Sequence, residues 1–394
     1  MKLLVACSSL DLRTPLSSTP AWWQLLKALY ETGVELLVTT YQGDVPESLW
    51  WRRFPNPTRR QGDAFAAMRG AVRRFRGDSV GDDGSSTSKE SVSQMAVRKL
   101  AQMAIAPRWS RHLRAILKYE ADVDAVLLIS VPPNHLRGIA ADLRARFGVP
   151  VLFYDGDVPA SLPPYQGFGT GVAFYPGADL REFDAVLSNS KGGAEALLQR
   201  GAARVHPFYY AADPDVYRPL AIEPDIDVSF YGHTMEYRRA WIRAMLTLPQ
   251  ASMPETRFGV RGIRIEAGAG IEGLPYRGFS DLRSCIARSR INLNIVREPQ
   301  ATVYASSTLR PFELAMMGAC MVSNPYLGIE EWFEPGKEVV VVGSPEEAVD
   351  RYRFLLQNET ERRALGTAAR RRALAEHTYR QRAEQLVEIL EGYV

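Results

Sequence analysis

The chain has 394 residues, enough for two domains of ordinary size. Its hydrophobic content of 46% and charged content of 24% are those of a globular protein and exclude a disordered or fibrous chain. A net charge of +3 is too small to call for a nucleic-acid partner.

The three cysteines, Cys7, Cys285 and Cys320, are far apart and show no metal-ligand spacing. Buried, reduced thiols in a cytoplasmic protein are the expectation. The opening MKLLVACSSL is too short in its apolar part for a signal segment and reads as a first β-strand. No run of about 18 apolar residues occurs, so no membrane span is expected.

A strand is expected over 2–8, followed by a long polar loop and a helix over 21–32 closed by Gly33. A strand over 34–39 comes next. This β-loop-α-β order opens a doubly wound sheet. The loop lacks the G-x-G-x-x-G spacing, so the usual dinucleotide fingerprint is absent.

The stretch from Arg52 to Arg76 holds eight arginines against one acid, Asp63, with Phe54, Phe65, Met68, Val72 and Phe75 interleaved. Two readings stand: a contact to an anionic surface such as membrane headgroups, or a solvated helix face. Residues 77–93 are rich in Gly, Ser and Asp and read as a link. Helices are then expected over 92–106 and 109–119, separated by Pro107.

Strands over 125–131, 151–154 and 185–188 alternate with helices over 136–147 and 193–200. That is the rhythm of a parallel sheet covered on both faces. Three strand ends carry polar residues: Asn134 and His135, Asp155 and Asp157, and Asn189 to Lys191. In a parallel sheet such ends gather on one edge. His135, Asp155 and Asp157 are therefore candidate catalytic bases, and turn or cap roles are the plainer alternative. Asp155-Gly156-Asp157 also has the spelling of a metal-binding D-x-D.

Residues 212–224 are proline-rich and break the periodicity, as a crossing between domains would. A second β/α series begins at 227–231, with Gly232 directly after the strand and a helix over 237–246. Strands are expected near 257–260, 263–266 and 338–342, with helices over 281–289, 345–356, 359–376 and 379–391. In between lies ARSRINLNIVREPQATVYASSTLRPFELAMMGACMVSNPY, from Ala287 to Tyr326. It reads as strand, polar loop, helix, strand. The loop sits at the carboxyl end of a strand, where ligands bind in open α/β sheets. Ser306, Ser307 and Thr308 precede the helix, Pro311 suits its first turn, and Arg310 can add charged donors for an anion. Glu313 fits phosphate poorly and fits a neighbouring hydroxyl, or a simple dipole role, better.

The stretches VSFYGHTMEYRRAWI, YRGFSDL, SRINLNI, LRPFELAMMGACMVSN, GIEEWFEPGKEVVVV and HTYRQRAEQLVEIL resemble, in order and spacing, the CgeB-like branch of the group 1 GT-B glycosyltransferases. The resemblance covers roughly residues 151–394. It implies an α/β fold of two Rossmann-like doubly wound domains facing a central cleft. The implied division is an acceptor-side domain over 1–212, with an insertion at about 52–93, a crossing over 213–224, and a donor domain over 225–378. A last helix over 379–394 crosses back to the first domain.

It also implies a metal-independent transfer from a nucleotide-diphosphate sugar, UDP- or dTDP-linked, with no cofactor. Gly232, His233 and Arg238 or Arg239 would lie near the diphosphate. Tyr276 to Phe279, including Gly278, would lie near the base. Ser306, Ser307, Thr308, Leu309 and Arg310 would hold the diphosphate, and Glu313 would take the ribose hydroxyls. Related retaining enzymes carry a second glutamate eight residues before this one, where this chain has Ala305. An epimerase or phosphorylase on the same scaffold, and a nucleotide-sugar-binding protein without chemistry, are the alternatives.

Overall fold

The computed structural model describes residues 1–12, 19–62, 92–163, 165, 173–234, 237–262, 270–275, 278 and 280–394. These form two compact units. Unit 1 comprises Met1–Asp11, Leu25–Phe208 and Ala383–Val394; unit 2 comprises Leu12–Gln24 and Tyr209–Arg382.

Unit 1 is built on β1 (Lys2–Cys7), β2 (Glu35–Thr40), β3 (Arg52–Arg53), β4 (Ala125–Ile129), β5 (Val151–Asp155), β6 (Ala185–Ser188) and β7 (Val205–Pro207). They pair in the order β3-β2-β1-β4-β5-β6-β7, parallel throughout. A parallel strand covered on both faces has no wet side, so it reads as an unbroken apolar run. Every residue of β4 and β5 is buried accordingly. The core packs Leu4, Val126, Leu128 and Phe153 against Trp109, Leu113 and Leu143 of the flanking helices. Each such side chain contributes about 1.5–3 kcal/mol on full burial.

Unit 2 contains β8 (Ile226–Tyr231), β9 (Phe258–Arg261), β10 (Ile271–Gly273), β11 (Ser289–Asn294), β12 (Met321–Ser323) and β13 (Val340–Val341). Their order is β10-β9-β8-β11-β12-β13, again all parallel. Both sheets thus wind outward in two directions from a switch point, at β1/β4 and at β8/β11. The carboxyl ends flanking such a point are where a doubly wound sheet binds its ligand.

Several boundaries differ from those expected. The helix predicted from 136 is Ile139–Phe147, because Gly138 at its start takes a left-handed φ of 86° and Asn134 and His135 stay in the turn before it. The strand predicted to end at 154 includes Asp155. The polar loop after β11 contains a short helix, Glu298–Thr302, which Pro299 begins rather than breaks. The strand Ile271–Gly273 was not anticipated, and the one expected over 263–266 lies outside the described residues. The last helix, Tyr379–Glu391, is divided: its first turn belongs to unit 2 and the rest to unit 1, where Gln385 donates to the Pro207 carbonyl at 3.2 Å.

All three cysteines are free and buried. Burial pushes the thiols of Cys7 and Cys320 up to about 12 and that of Cys285 up to about 11. Among the described residues no helix is long and apolar enough to cross a membrane.

Candidate functional site

The carboxyl ends of β8 and β11 in unit 2 converge on one buried guanidinium. Arg310 is the second residue of the helix Leu309–Met316, whose side chains from Arg310 onward are all buried. Its Nε donates to the Tyr231 carbonyl at 3.0 Å and its Nη1 to the Ile295 carbonyl at 2.9 Å. The guanidinium carbon sits 4.8 Å from the Phe230 ring centroid and 5.0 Å from that of Tyr231. Among the described residues Arg310 has no carboxylate in ion-pair contact. Burial lowers its pKa from the ordinary value, and the nearby Tyr231 and Glu313 oppose that.

Gly232 is a glycine because of this arginine. Its φ is 135°, and a Cβ there would lie 2.5 Å from Arg310 Nη2. The space beside the Gly232 backbone is therefore taken by Arg310 itself.

The helix it belongs to begins without a cap. Thr308 stands at the N-cap in extended backbone and its side chain makes no capping bond. Ser307 Oγ instead accepts from the Tyr210 amide at 3.1 Å, and Ser306 Oγ donates to the Val303 carbonyl at 2.9 Å. Both bonds hold the loop that precedes the helix. The amides of Leu309 and Arg310 have no hydrogen-bond partner among the described residues. Open first-turn amides beside a buried guanidinium form an anion site. At the other end Gly318, with φ 68°, closes the helix through Gly318 N to Ala315 O and Ala319 N to Leu314 O.

Glu313 lies one turn further on and is 5% exposed. Tyr217 Oη donates to its Oε1 and Tyr231 Oη to its Oε2, each at 2.7 Å. Burial raises the Glu313 pKa, while the two hydroxyls, Arg310 and Arg261 work against that rise. Burial and the Glu313 charge raise both tyrosines well above their ordinary value, so they stay protonated donors. Each carboxylate oxygen keeps acceptor capacity for a further hydroxyl. Tyr217 and Tyr231 were not anticipated from sequence.

Arg238 is buried and donates from Nε to the same Ile295 carbonyl at 2.9 Å, so two guanidinium groups share one acceptor. Its Nη1 reaches the carbonyl of the half-buried His233 at 3.5 Å. Arg239, by contrast, is exposed and opens the helix Arg239–Ile242. Arg261, at the end of β9, is 2% exposed and donates to the Gly278 carbonyl. Gly278 is buried with φ 137°, and Phe279 lies outside the described residues. Ala305 is fully buried in a left-handed conformation, φ 49°, with its amide donating to Leu327 O at 3.0 Å. A Cβ on Gly328 would approach to 3.0 Å of the Ala305 Cβ.

The candidate bases in unit 1 part company. Asp155 is 0% exposed and accepts from Ser161 Oγ at 2.6 Å, from Tyr175 Oη, and from the Asp157 amide at 2.9 Å. Burial pushes it up to about 6 against these bonds. This fully enclosed carboxyl anchors the turn after β5. The same inward turn removes Asp155 from any D-x-D ligand pair, and no group that could hold a metal ion occurs among the described residues. Asp157 is half-buried on that turn.

His135 is 5% exposed, with Nδ1 2.6 Å from Tyr41 Oη. Burial, helped by Arg98, lowers it to about 4, so its ring is neutral near pH 7. Its Nε2 is buried and has no hydrogen-bond partner among the described residues.

The described part of the basic stretch is engaged otherwise than expected. Arg52 and Arg53 form the edge strand β3. Arg52 pairs with Glu120 at 2.5 Å and Glu35 at 3.0 Å, Arg53 with Glu47 at 2.6 Å, and Arg59 with Asp44 at 2.6 Å. Residues 63–76 lie outside the described residues.

Residues 234–388 match the family model described as glycosyl transferase-like. No curated protein matches the chain. Sucrose-phosphate synthase from Thermosynechococcus elongatus is similar in structure, with a TM-score of 0.65 at 13% identity, over 100% of this chain and 99% of that one. Anabaena HepE in complex with UDP and glucose gives 0.61 at 12% identity, over 99% of each. An α,α-trehalose-phosphate synthase (UDP-forming) from Burkholderia vietnamiensis gives 0.59 at 13% identity, over 100% of each. At such identities the likeness speaks for architecture: the chain has the GT-B fold of two Rossmann-like parallel-sheet domains, with its glycosyl transferase-like segment in the unit that carries Arg310 and Glu313.

Proposed function

We propose that this chain is a glycosyltransferase of the CgeB-like kind, moving a sugar from a UDP- or dTDP-linked donor to an acceptor without a metal ion. The observation that carries this reading is Arg310, a buried guanidinium with no carboxylate in ion-pair contact among the described residues, beside the amides of Leu309 and Arg310, which are open among those same residues. A diphosphate supplies the missing negative charge there. Support comes from the glycosyl transferase-like match over 234–388 and from the UDP held by the structurally similar HepE.

In transfer the bond between the anomeric carbon and the phosphate oxygen breaks, and charge grows on the leaving diphosphate. Fixed amides and a fixed guanidinium stabilise that charge without reorganising. Glu313, held by Tyr217 and Tyr231, receives the ribose hydroxyls. Gly232, His233, Arg238, Arg239, Gly278 and Phe279 complete the donor side in this reading. With Asp155 enclosed, Asp157 and His135 are the bases to test for an inverting reaction.

Calorimetry with UDP, dTDP and their glucose conjugates in EDTA tests the proposal. Micromolar or tighter binding by one of them is expected, and silence toward all four on folded protein overturns it. Ala305 favours a second reading, a nucleotide-sugar-binding protein without chemistry, because no carboxylate stands at that position. Donor hydrolysis or transfer, followed by release of nucleoside diphosphate, separates the two.

A further inference from the structure

The stretch from Val92 to Tyr119 carries six Lys or Arg residues and no Asp or Glu. It forms two helices, Val92–Ala104 and Ala106–Tyr119, joined through Ile105, whose own angles (φ −93°, ψ −52°) are helical. Ile105 N bonds Ala101 O, and Trp109 N bonds Ile105 O, so the helical ladder resumes across the joint. Pro107, which has no amide to give, stands in the first turn of the second helix, where none is needed.

This pair of helices has two unlike sides. Trp109, Leu113, Ile116 and Leu117 are buried in the core of unit 1. Leu100, Met103, Pro107, Arg111, Ala115 and Lys118 follow one another at spacings of three and four, and all are exposed. That is the spacing of one helix face. Leu100 is 55% and Met103 78% exposed, with Met95 at 38% one to two turns earlier. Lys99, Arg108, Arg111 and Lys118 are exposed beside them, and none has a carboxylate partner among the described residues. The other two cations are turned to different tasks: Arg114 pairs with Asp142 at 2.6 Å, and Arg98 lies against Gly177.

We propose that this face is a peripheral contact to an anionic lipid bilayer. Leu100 and Met103 enter the boundary between headgroups and acyl chains, and the unpaired cations meet lipid phosphates. The charge selects an anionic partner, and the apolar row selects a bilayer. A nucleic acid would use the cations and leave Leu100 and Met103 in water. The contact lies on unit 1 and stands independently of the donor site.

Vesicle flotation with the full-length chain tests it, using phosphatidylcholine vesicles with and without phosphatidylglycerol. Binding is expected on the phosphatidylglycerol vesicles, weakened by salt, and little on phosphatidylcholine alone. Leu100→Asp with Met103→Asp should lower the partition coefficient at least about tenfold. Arg111→Gln and Lys118→Gln should each lower it roughly fivefold. All four side chains are exposed, so unfolding temperatures followed by circular dichroism should hold. Absence of binding to either vesicle overturns the proposal, as does equal binding to both. So does full binding by the Leu100/Met103 variant, which would place the contact elsewhere, or retention of RNA by that variant with no vesicle binding.

Discussion

At the carboxyl ends of β8, β9 and β11 the buried charged groups include three guanidinium donors, Arg238, Arg261 and Arg310, beside the one carboxyl of Glu313. At the carboxyl ends of β4 and β5 they are a carboxyl raised to about 6, an imidazole lowered to about 4, and the Asn134 amide. The two sheets share their strand order, so the wound topology does not cause the difference. It comes from the few residues set on the strand ends. One end is equipped to hold a multiply charged anion. At the other, burial shifts a carboxyl and an imidazole toward their neutral forms, and only the imidazole is neutral near pH 7. Chemistry lives in such grafted residues rather than in the architecture that carries them.

Four experiments would break or sharpen that contrast. The largest effect should come from Asp155→Ala, which leaves two hydroxyls and an amide unpartnered in the unit 1 core. A loss of about 4 kcal/mol in urea unfolding is expected, with donor affinity unchanged in protein that remains folded. Loss of donor binding by that folded variant would mean that the two ends do not work separately.

Arg310→Ala should weaken nucleotide binding by about 1.5–3 kcal/mol in calorimetry, the range for a hydrogen bond to a charged group. Arg239→Ala, on an exposed side chain, should change it far less. Equal affinities for wild type and the Arg310 variant would place the anion elsewhere.

For the pH profile the sign follows from the direction of the shift. Burial depresses His135 in the folded chain below the ordinary histidine value near 6.5. Its contribution to stability is therefore present above pH 6.5 and is lost as pH falls toward 4. The slope is up to about 1.4 kcal/mol per pH unit. His112, also lowered to about 4 by burial, adds to it. Unfolding free energies measured from pH 7 to 4.5 should fall less for His135→Gln than for wild type. Parallel curves would show that His135 titrates normally.

The smallest effect should be that of Tyr217→Phe. It removes one of two hydroxyls on Glu313 and should cost about 1 kcal/mol in stability. Affinity for a ribose-bearing nucleotide should fall by more than affinity for pyrophosphate. An equal fall for both would dissociate Glu313 from the sugar.

Much of the fold could be read from the chain because parallel strands announce themselves as apolar runs, as β1, β4 and β8 do. The helix Leu309–Met316 was legible through its Pro and closing Gly. Legibility failed where partners are distant. Tyr217 meets Glu313 across 96 positions, and nothing local marks either tyrosine. Asp155 looked like a loop residue because aspartate favours turns; the register of β5 with β6, which pairs it with Ser188, draws it inside. Arg52 and Arg53 looked like part of a solvated helix because ion pairs to Glu35, Glu47 and Glu120 cannot be seen from a run of arginines.

Ala305 has a consequence for how such a protein can change over time. Its left-handed backbone already disfavours any side chain larger than glycine, and the facing loop closes on its Cβ at Gly328. A codon change to glutamate would therefore yield a strained, crowded loop before it yielded a placed carboxylate. The substitution therefore carries a conformational cost of roughly 1–3 kcal/mol that the rest of the fold has to cover. Engineering of a two-glutamate site is best begun by varying the loop holding Gly328 together with position 305.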